Sequence, residues 1–414
     1  MLLLAAIVAQ ANPGHASPYE TLFDGLKGPG QMLRTVVQLE KEFAERPKED
    51  DVSRQALAVA YSFIGEESRA LKVFDQTSYK APPPQVFDVR DLAACRRVDA
   101  LAAAVQLASK SRVVVINEAH HVPQVRTFTL EMVRRLRKLG YAYYAAETFT
   151  KPSEFSVRRG PLLSSGNYTA EPVFGQIVRE AVKKGYTLVP YEAENRPPAG
   201  TPGKGMMAWR EKEETANLLA RIFSRDPKAK VIIHCGYSHA YKWPADPDNM
   251  DWMAARLKKA LGNGLISIDL TDMREASEPD RENSAYRFAQ KRKPIQNPIA
   301  LRRKDGSYWV GGEATGKVDL QVFFPRTKLV HGRPDWLGRT GRKTVRLLFK
   351  APDTIRRFLV EAIPQCEPSE AVPMDRVLIW PGKPLPVLNL PSGAYTVSLF
   401  DESGRKLLSR PLKV

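Results

Sequence analysis

The chain has 414 residues, enough for two or three domains at roughly 150 residues each. Hydrophobic residues make up 43% and charged residues 26%, a globular balance that excludes wholesale disorder, and the longest apolar run, residues 1–9, is too short to span a bilayer. Sixty-three lysines and arginines against 46 acids leave a formal charge of +17, which favours anionic partners such as lipid headgroups or acidic envelope polymers. The basic residues are scattered and never interleave with aromatics in a base-stacking stripe, so nucleic acid is the least favoured of these partners.

Residues 2–8 form a short apolar core, followed by the small residues Ala9 and Ala11 and the helix-breaking Asn12-Pro13-Gly14. Residues 1–17 therefore read as a signal peptide and tail, lacking only a basic start, and predict a periplasmic or secreted protein. Cys95, Cys235 and Cys366 form no CxxC pair and cannot build a disulfide framework; three buried thiols are expected.

From 18 to about 90 the pattern is helical. Met32, Leu33, Val36, Val37 and Leu39 precede a polar break at 46–51, and Ala56, Leu57, Ala60, Tyr61, Phe63 and Ile64 then recur at three- and four-residue spacing. Gly65 ends that helix and another starts at Ser68, giving one tetratricopeptide-like hairpin that reads as a helical cap, with Ala81-Pro82-Pro83-Pro84 as a stiff linker. Between 91 and 340 strand and helix alternate: strands at 112–117, 141–147, 187–191, 230–235 and 265–269, helices at 123–139, 172–184, 209–223 and 250–261. This rhythm implies an α/β fold, a mostly parallel sheet with helices on both faces. The stretch 272–342 reads as a charged loop with one good strand, 317–324. From 341 to 414 short strands at 344–350, 357–363, 377–380 and 394–400, the last folding back at Asp401-Glu402-Ser403-Gly404, predict a small β-sandwich.

In an open parallel sheet, ligands bind beyond the carboxyl ends of the strands. Here the first strand ends in Asn117-Glu118-Ala119-His120-His121, the second in Glu147, the third in Tyr191-Glu192-Ala193-Glu194, and the fourth in His234-Cys235-Gly236-Tyr237-Ser238-His239. Four of the six histidines thus fall at two strand ends. Residues two apart on an extended segment share a face, so Glu118 and His120 point together while His121 turns away. Pro123 suits the first turn of the following helix, whose N–H groups would then face the site. Crowded carboxylates at low dielectric need a cation or a proton among them. One solution is a divalent metal, Zn or Mn, held by Glu118, His120, Glu147 and His239 with an open position for water. The other is metal-free: His120 takes a proton from water while Glu118 or Glu147 orients it. Glu192, His234 and Tyr237 would contact substrate or support these groups, Glu194 faces solvent, and Cys235 reads as buried rather than nucleophilic.

The strand ending Asn117-Glu118-Ala119-His120-His121, then Glu147, then Gly236-Tyr237-Ser238-His239-Ala240, resembles the superfamily that joins erythromycin-esterase-like hydrolases, ChaN-like haem-binding lipoproteins and Tiki-type metalloproteases. Its ChaN-like members carry Gly-Glu-x-His on the first strand and Gly-x-x-His near the end of a later one, positions matched by Glu118, His120 and His239. Its esterase-like members place the histidine three after the glutamate, which selects His121. Asn117 stands where the family has glycine. The resemblance spans about 113–269 and leaves both flanking regions unexplained.

Together these features lead to the expectation of an exported hydrolase acting on an ester or amide bond of a small molecule or peptide, with Glu118, His120, His121, Glu147 and His239 as catalytic candidates. A haem- or metal-binding protein without turnover, with His120, His239 or Tyr237 as ligand, is the alternative. A third reading is an interaction protein whose basic surface meets an anionic envelope component.

Overall fold

The computed structural model describes residues 17–45, 50–77, 87–150, 160–243, 250–347 and 356–414. The expected leader, the proline linker at 81–84 and most of the polar break lie outside them. Among the described residues no helix is long and apolar enough to cross a membrane.

Six parallel strands form the central sheet: β1 (Val113–Glu118), β2 (Tyr143–Ala146), β3 (Thr187–Pro190), β4 (Val231–Gly236), β5 (Leu265–Asp269) and β6 (Leu320–Gln321), in the order β3-β2-β4-β1-β5-β6. Every residue of β1, β4 and β5 is buried, as expected for strands covered on both faces.

Helices preceding and linking these strands are α5 (Ala100–Ser109), α6 (Pro123–Leu136), α7 (Pro172–Lys183), α8 (Gly203–Leu218) and α9 (Met253–Leu261). The apolar residues of α5, α6 and α7 pack with Val114, Ile116, Tyr144 and Ile232 on one face of the sheet. Those at the end of α8 and along α9 pack with Val113, Val115, Val231 and Ile233 on the other. The side change follows from the topology. The chain runs outward from β1 to β2 and β3, then turns back so that β4 inserts between β2 and β1, and right-handed crossovers in opposite directions land on opposite faces. The ends of β1 and β4 are therefore adjacent strand ends whose chains depart to opposite sides, the position where such sheets open a crevice.

Four helices precede the sheet: α1 (Pro18–Asp24), α2 (Gln31–Glu45), α3 (Asp51–Phe63) and α4 (Glu67–Phe74). A capping box of Ser17 and Glu20 starts α1, and Asp50 caps α3. The cap meets both neighbouring units. Phe23 packs edge-on against Tyr168 at 5.7 Å, while Arg357 donates to Glu40 at 2.8 Å and Arg376 donates to the Phe63 carbonyl at 3.0 Å.

The C-terminal region is an antiparallel pair, β7 (Lys343–Arg346) with β10 (Val387–Leu390), against a four-stranded antiparallel sheet of β8 (Phe358–Pro364), β9 (Asp375–Ile379), β11 (Ala394–Phe400) and β12 (Lys406–Lys413). The expected hairpin at residues 401–404 joins β11 to β12. Differences from the sequence reading are local. The strand expected at 317–324 keeps only Leu320–Gln321 in the sheet, because Phe323 turns to bridge Ile299. The stretch read as a charged loop holds a helix, Ser284–Arg292, capped by Asn283. Among the elements that went unread are α5, the antiparallel ribbon of Arg96–Asp99 with Ile299–Arg302, and β10 between its prolines. Cys95 and Cys235 are buried, but Cys366 is exposed in the turn after β8, which corrects the expectation of three buried thiols.

Candidate functional site

Glu118, the last residue of β1, points to the α6–α7 face. Its carboxylate accepts two hydrogen bonds from Arg126 of α6, at 2.6 and 2.8 Å, and one contact from His120 Nδ1 at 3.0 Å. Arg126 is fully buried and also donates to Glu171 at 3.0 Å and to the His120 carbonyl at 3.0 Å. Glu171 in turn caps α7, accepting from the backbone N–H groups of Val173 and Phe174, both at 2.8 Å. Burial alone would raise the Glu118 pKa, but the Arg126 guanidinium, aided by His234 and His120, outweighs it and holds the carboxyl well below its usual range. Glu118 is a fixed anion.

His120 stacks on Tyr168 at 3.8 Å and meets the Tyr237 ring edge-on at 5.3 Å. With Nδ1 on Glu118, its Nε2 faces Gly236: a Cβ built on that glycine would lie 2.5 Å from Nε2 and 3.4 Å from Glu147 Oε2. Glycine at the end of β4 is therefore what lets His120 and Glu147 approach the same point. A small pocket of about 10 Å³, room for one water, opens there, lined by Glu118, His120, Glu147, Thr148, Tyr168 and His234 among others.

His121 does turn away. It stacks on Phe74 of the helical cap at 3.6 Å, with Tyr237 Oη 3.5 Å from its Nδ1 and an Arg274 nitrogen 3.4 Å from its Nε2. His234 joins the Glu118 group: its Nε2 lies 3.1 Å from Glu118 Oε2, its Nδ1 is 2.8 Å from Tyr144 Oη, and its ring stacks on Phe174 at 4.9 Å. Tyr237 adopts φ of +37°, a sparsely populated backbone state for a bulky residue. Asn117 holds this turn in place, donating to the Tyr237 carbonyl at 2.8 Å and accepting from the Leu270 N–H at 2.7 Å.

Glu147 lines the pocket beside His120 and reaches from it toward Arg210 of α8. Its Oε2 accepts from the Gly236 N–H at 2.6 Å and its Oε1 from Arg210 at 2.5 Å. Arg210 also holds Glu192, through Nε at 2.8 Å and Nη2 at 2.5 Å, and lies 2.9 Å from Glu214. Its Nη1 is 2.9 Å from His239 Nε2, and His239 Nδ1 lies 2.7 Å from Glu211 and 3.3 Å from Glu214. His239 thus stands behind Glu147, 3.8 Å from it, rather than beside His120. Burial opposes ionisation of Glu147, but His239, Arg210 and His120 together hold its carboxyl well below the usual range. The excess of carboxylates is met elsewhere: burial pushes Glu214 up to about 8, against the opposing pull of Arg210 and His239.

Two carboxylate–imidazole pairs, Glu118–His120 and Glu211–His239, therefore flank one carboxylate, Glu147. The sequence reading found both histidines and both strand-end glutamates but missed Arg126, Glu171, Arg210, Glu211 and Glu214, all carried on or next to helices. Glu194 is largely exposed and pairs with Arg221 at 2.6 Å. Burial, followed by the charge of Glu147, drives the Cys235 thiol well above its usual pKa, which leaves it inert as a nucleophile.

The metal set expected from sequence does not close on one point: Glu118, His120 and Glu147 line one small pocket, while His239 stands behind Glu147, 3.8 Å from it. Among the described residues the donors that converge are Glu147, Glu214 and His239, with ligand atoms within 4.8 Å of one another. Arg210 reaches all three and supplies a positive charge there. A porphyrin needs far more room than the pocket beside His120 offers.

No family model matches this chain, and no curated protein does. Two solved structures are similar to it. One is the type III effector HopBA1, at 16% identity, covering 45% of this chain and 86% of that one with a TM-score of 0.30. The other is RRSP, a MARTX toxin effector domain from Vibrio vulnificus, at 13% identity, covering 66% of this chain and 48% of that one, also with a TM-score of 0.30.

Proposed function

We propose that the chain is an exported hydrolase that cleaves an ester or amide bond, with His120 as general base. The observation that carries this reading is the orientation of one ring: Glu118, locked by Arg126, fixes Nδ1 of His120 and leaves Nε2 directed at the pocket over Gly236. A water held there gives its proton to Nε2 as its oxygen attacks the carbonyl carbon, and the Glu118 anion stabilises the imidazolium that forms. Nε2 then returns the proton to the departing alcohol or amine as the ester or amide bond breaks. Glu147, anchored by the Gly236 N–H and Arg210, supplies a second charge at the same point and orients the water. His239 acts through Glu147 and Arg210 and does not touch the reacting atoms. The strained turn at Tyr237 fits a site where geometry is held against local preference. The resemblance to the erythromycin-esterase-like, ChaN-like and Tiki-type superfamily agrees with this reading.

A panel of p-nitrophenyl esters and anilides tests it. Turnover on at least one member by purified protein supports the reading; a flat response across both bond types opposes it.

The Glu147, Glu214 and His239 convergence favours a second reading, a protein that holds a divalent cation. Elemental analysis of purified protein separates the two: stoichiometric Zn or Mn supports the cation, and its absence leaves Arg210 as the counter-charge.

A further inference from the structure

The ribbon formed by Arg96–Asp99 and Ile299–Arg302 places Arg96 directly opposite Arg302. Like charges in that position repel, and sheets ordinarily avoid them. Here the repulsion is compounded. Lys304 follows in the turn, and together with Arg303, Ala94 and Gly306 these residues line a notch of about 320 Å³. The size is at the lower end of small-molecule sites.

The nearby carboxylates are committed elsewhere. Asp91 takes Arg303 in a two-pronged pair at 3.0 and 3.2 Å. Asp305 turns back on Ser307, accepting from its N–H at 2.9 Å and its hydroxyl at 2.7 Å. Asp99, at the far end of the ribbon, caps α5 by accepting from the Ala102 N–H at 2.6 Å. Among the described residues no carboxylate pairs with Arg96, Arg302 or Lys304. The Arg302 guanidinium is held in place by the Gly306 carbonyl at 3.3 Å, and Gly306, at φ of +89°, offers no side chain to cover it. Three cations without a carboxylate partner among the described residues line one concave, solvent-open notch.

We propose that this notch binds a phosphate group, either on a soluble phosphorylated molecule or on a phospholipid headgroup. Guanidinium forks match phosphate oxygens in pairs, and a doubly charged anion relieves the repulsion that the ribbon otherwise carries. The site is separate from the histidine pocket and does not depend on its chemistry.

The test titrates the full chain with inorganic pyrophosphate by calorimetry, and with vesicles of phosphatidylglycerol against phosphatidylcholine by co-sedimentation. Arg96→Gln with Arg302→Gln should weaken the response at least tenfold, while Lys228→Gln, an exposed lysine outside the notch, should leave it unchanged. Circular dichroism confirms that the variants fold. Pyrophosphate binding lost in the double variant identifies a soluble ligand, and vesicle binding lost in it identifies a headgroup. Binding of neither probe, or equal loss in Lys228→Gln, overturns the proposal.

Discussion

Arg126 and Glu118 form a fully buried, two-pronged ion pair, and the candidate site is built outward from it. Removing one partner strands the other charge away from water. Arg126→Met is expected to cost about 3–5 kcal/mol of folding stability. Urea unfolding measures it, and a loss below about 1 kcal/mol would mean that the pair does not anchor Glu118.

Glu118→Gln keeps the shape of the side chain but removes the charge that stabilises an imidazolium on His120. A loss of roughly 10²–10⁴ in turnover is expected. The KM should change little, because the charge acts on the imidazolium that forms during the reaction rather than on bound substrate.

Gly236 has no room for a methyl group, since a Cβ there would press on His120 Nε2. Gly236→Ala should therefore displace the imidazole and depress turnover while the sheet remains intact. Unchanged kinetics with unchanged circular dichroism would show that His120 does not face this point.

The carboxylate cluster on α8 makes a pH prediction. Glu214 is raised to about 8 in the folded chain, so between the ordinary carboxyl range and pH 8 the folded state binds a proton that the unfolded state has released. Its contribution is full below the unfolded pKa and is lost as pH rises through about 8. Glu118 and Glu147, held low, act with the opposite sign: their contribution is present above the unfolded pKa and is lost on acidification. Urea midpoints should thus be highest near the ordinary carboxyl range and fall both on acidification below it and as pH rises from it through about 8. Glu214→Gln should flatten the alkaline limb and leave the acid limb as it was, and an unchanged alkaline limb contradicts the assignment.

Much of this was legible in the chain itself. The apolar run at 112–117 could only be a buried strand, and the rule that ligands sit at carboxyl ends brought Glu118, His120, Glu147 and His239 forward. The two-residue repeat of a strand separated His120 from His121. Which side each strand-end residue took was harder to read, because it depends on where β4 inserts: His239 went behind Glu147, against Glu211 and Glu214 of α8, and away from the pocket. Arg126 sits among Thr129, Leu130 and Val133 on a buried helix face, and a lone cation there was the signal that went unread. Arg210, Glu211 and Glu214 belong to a charge run that reads as a solvated surface, since burial is decided by packing against a strand distant in sequence. Residues 272–342 resisted for a similar reason: their ribbon and bridges pair with residues near 97 and 269, and local pattern does not encode such partners.

The most direct measurement compares His120→Ala with the unaltered chain on the best ester or anilide of the panel, with folding checked by circular dichroism. The account predicts that turnover falls to the buffer rate while the fold persists. Hydrolysis at the unaltered rate in the folded variant would contradict it.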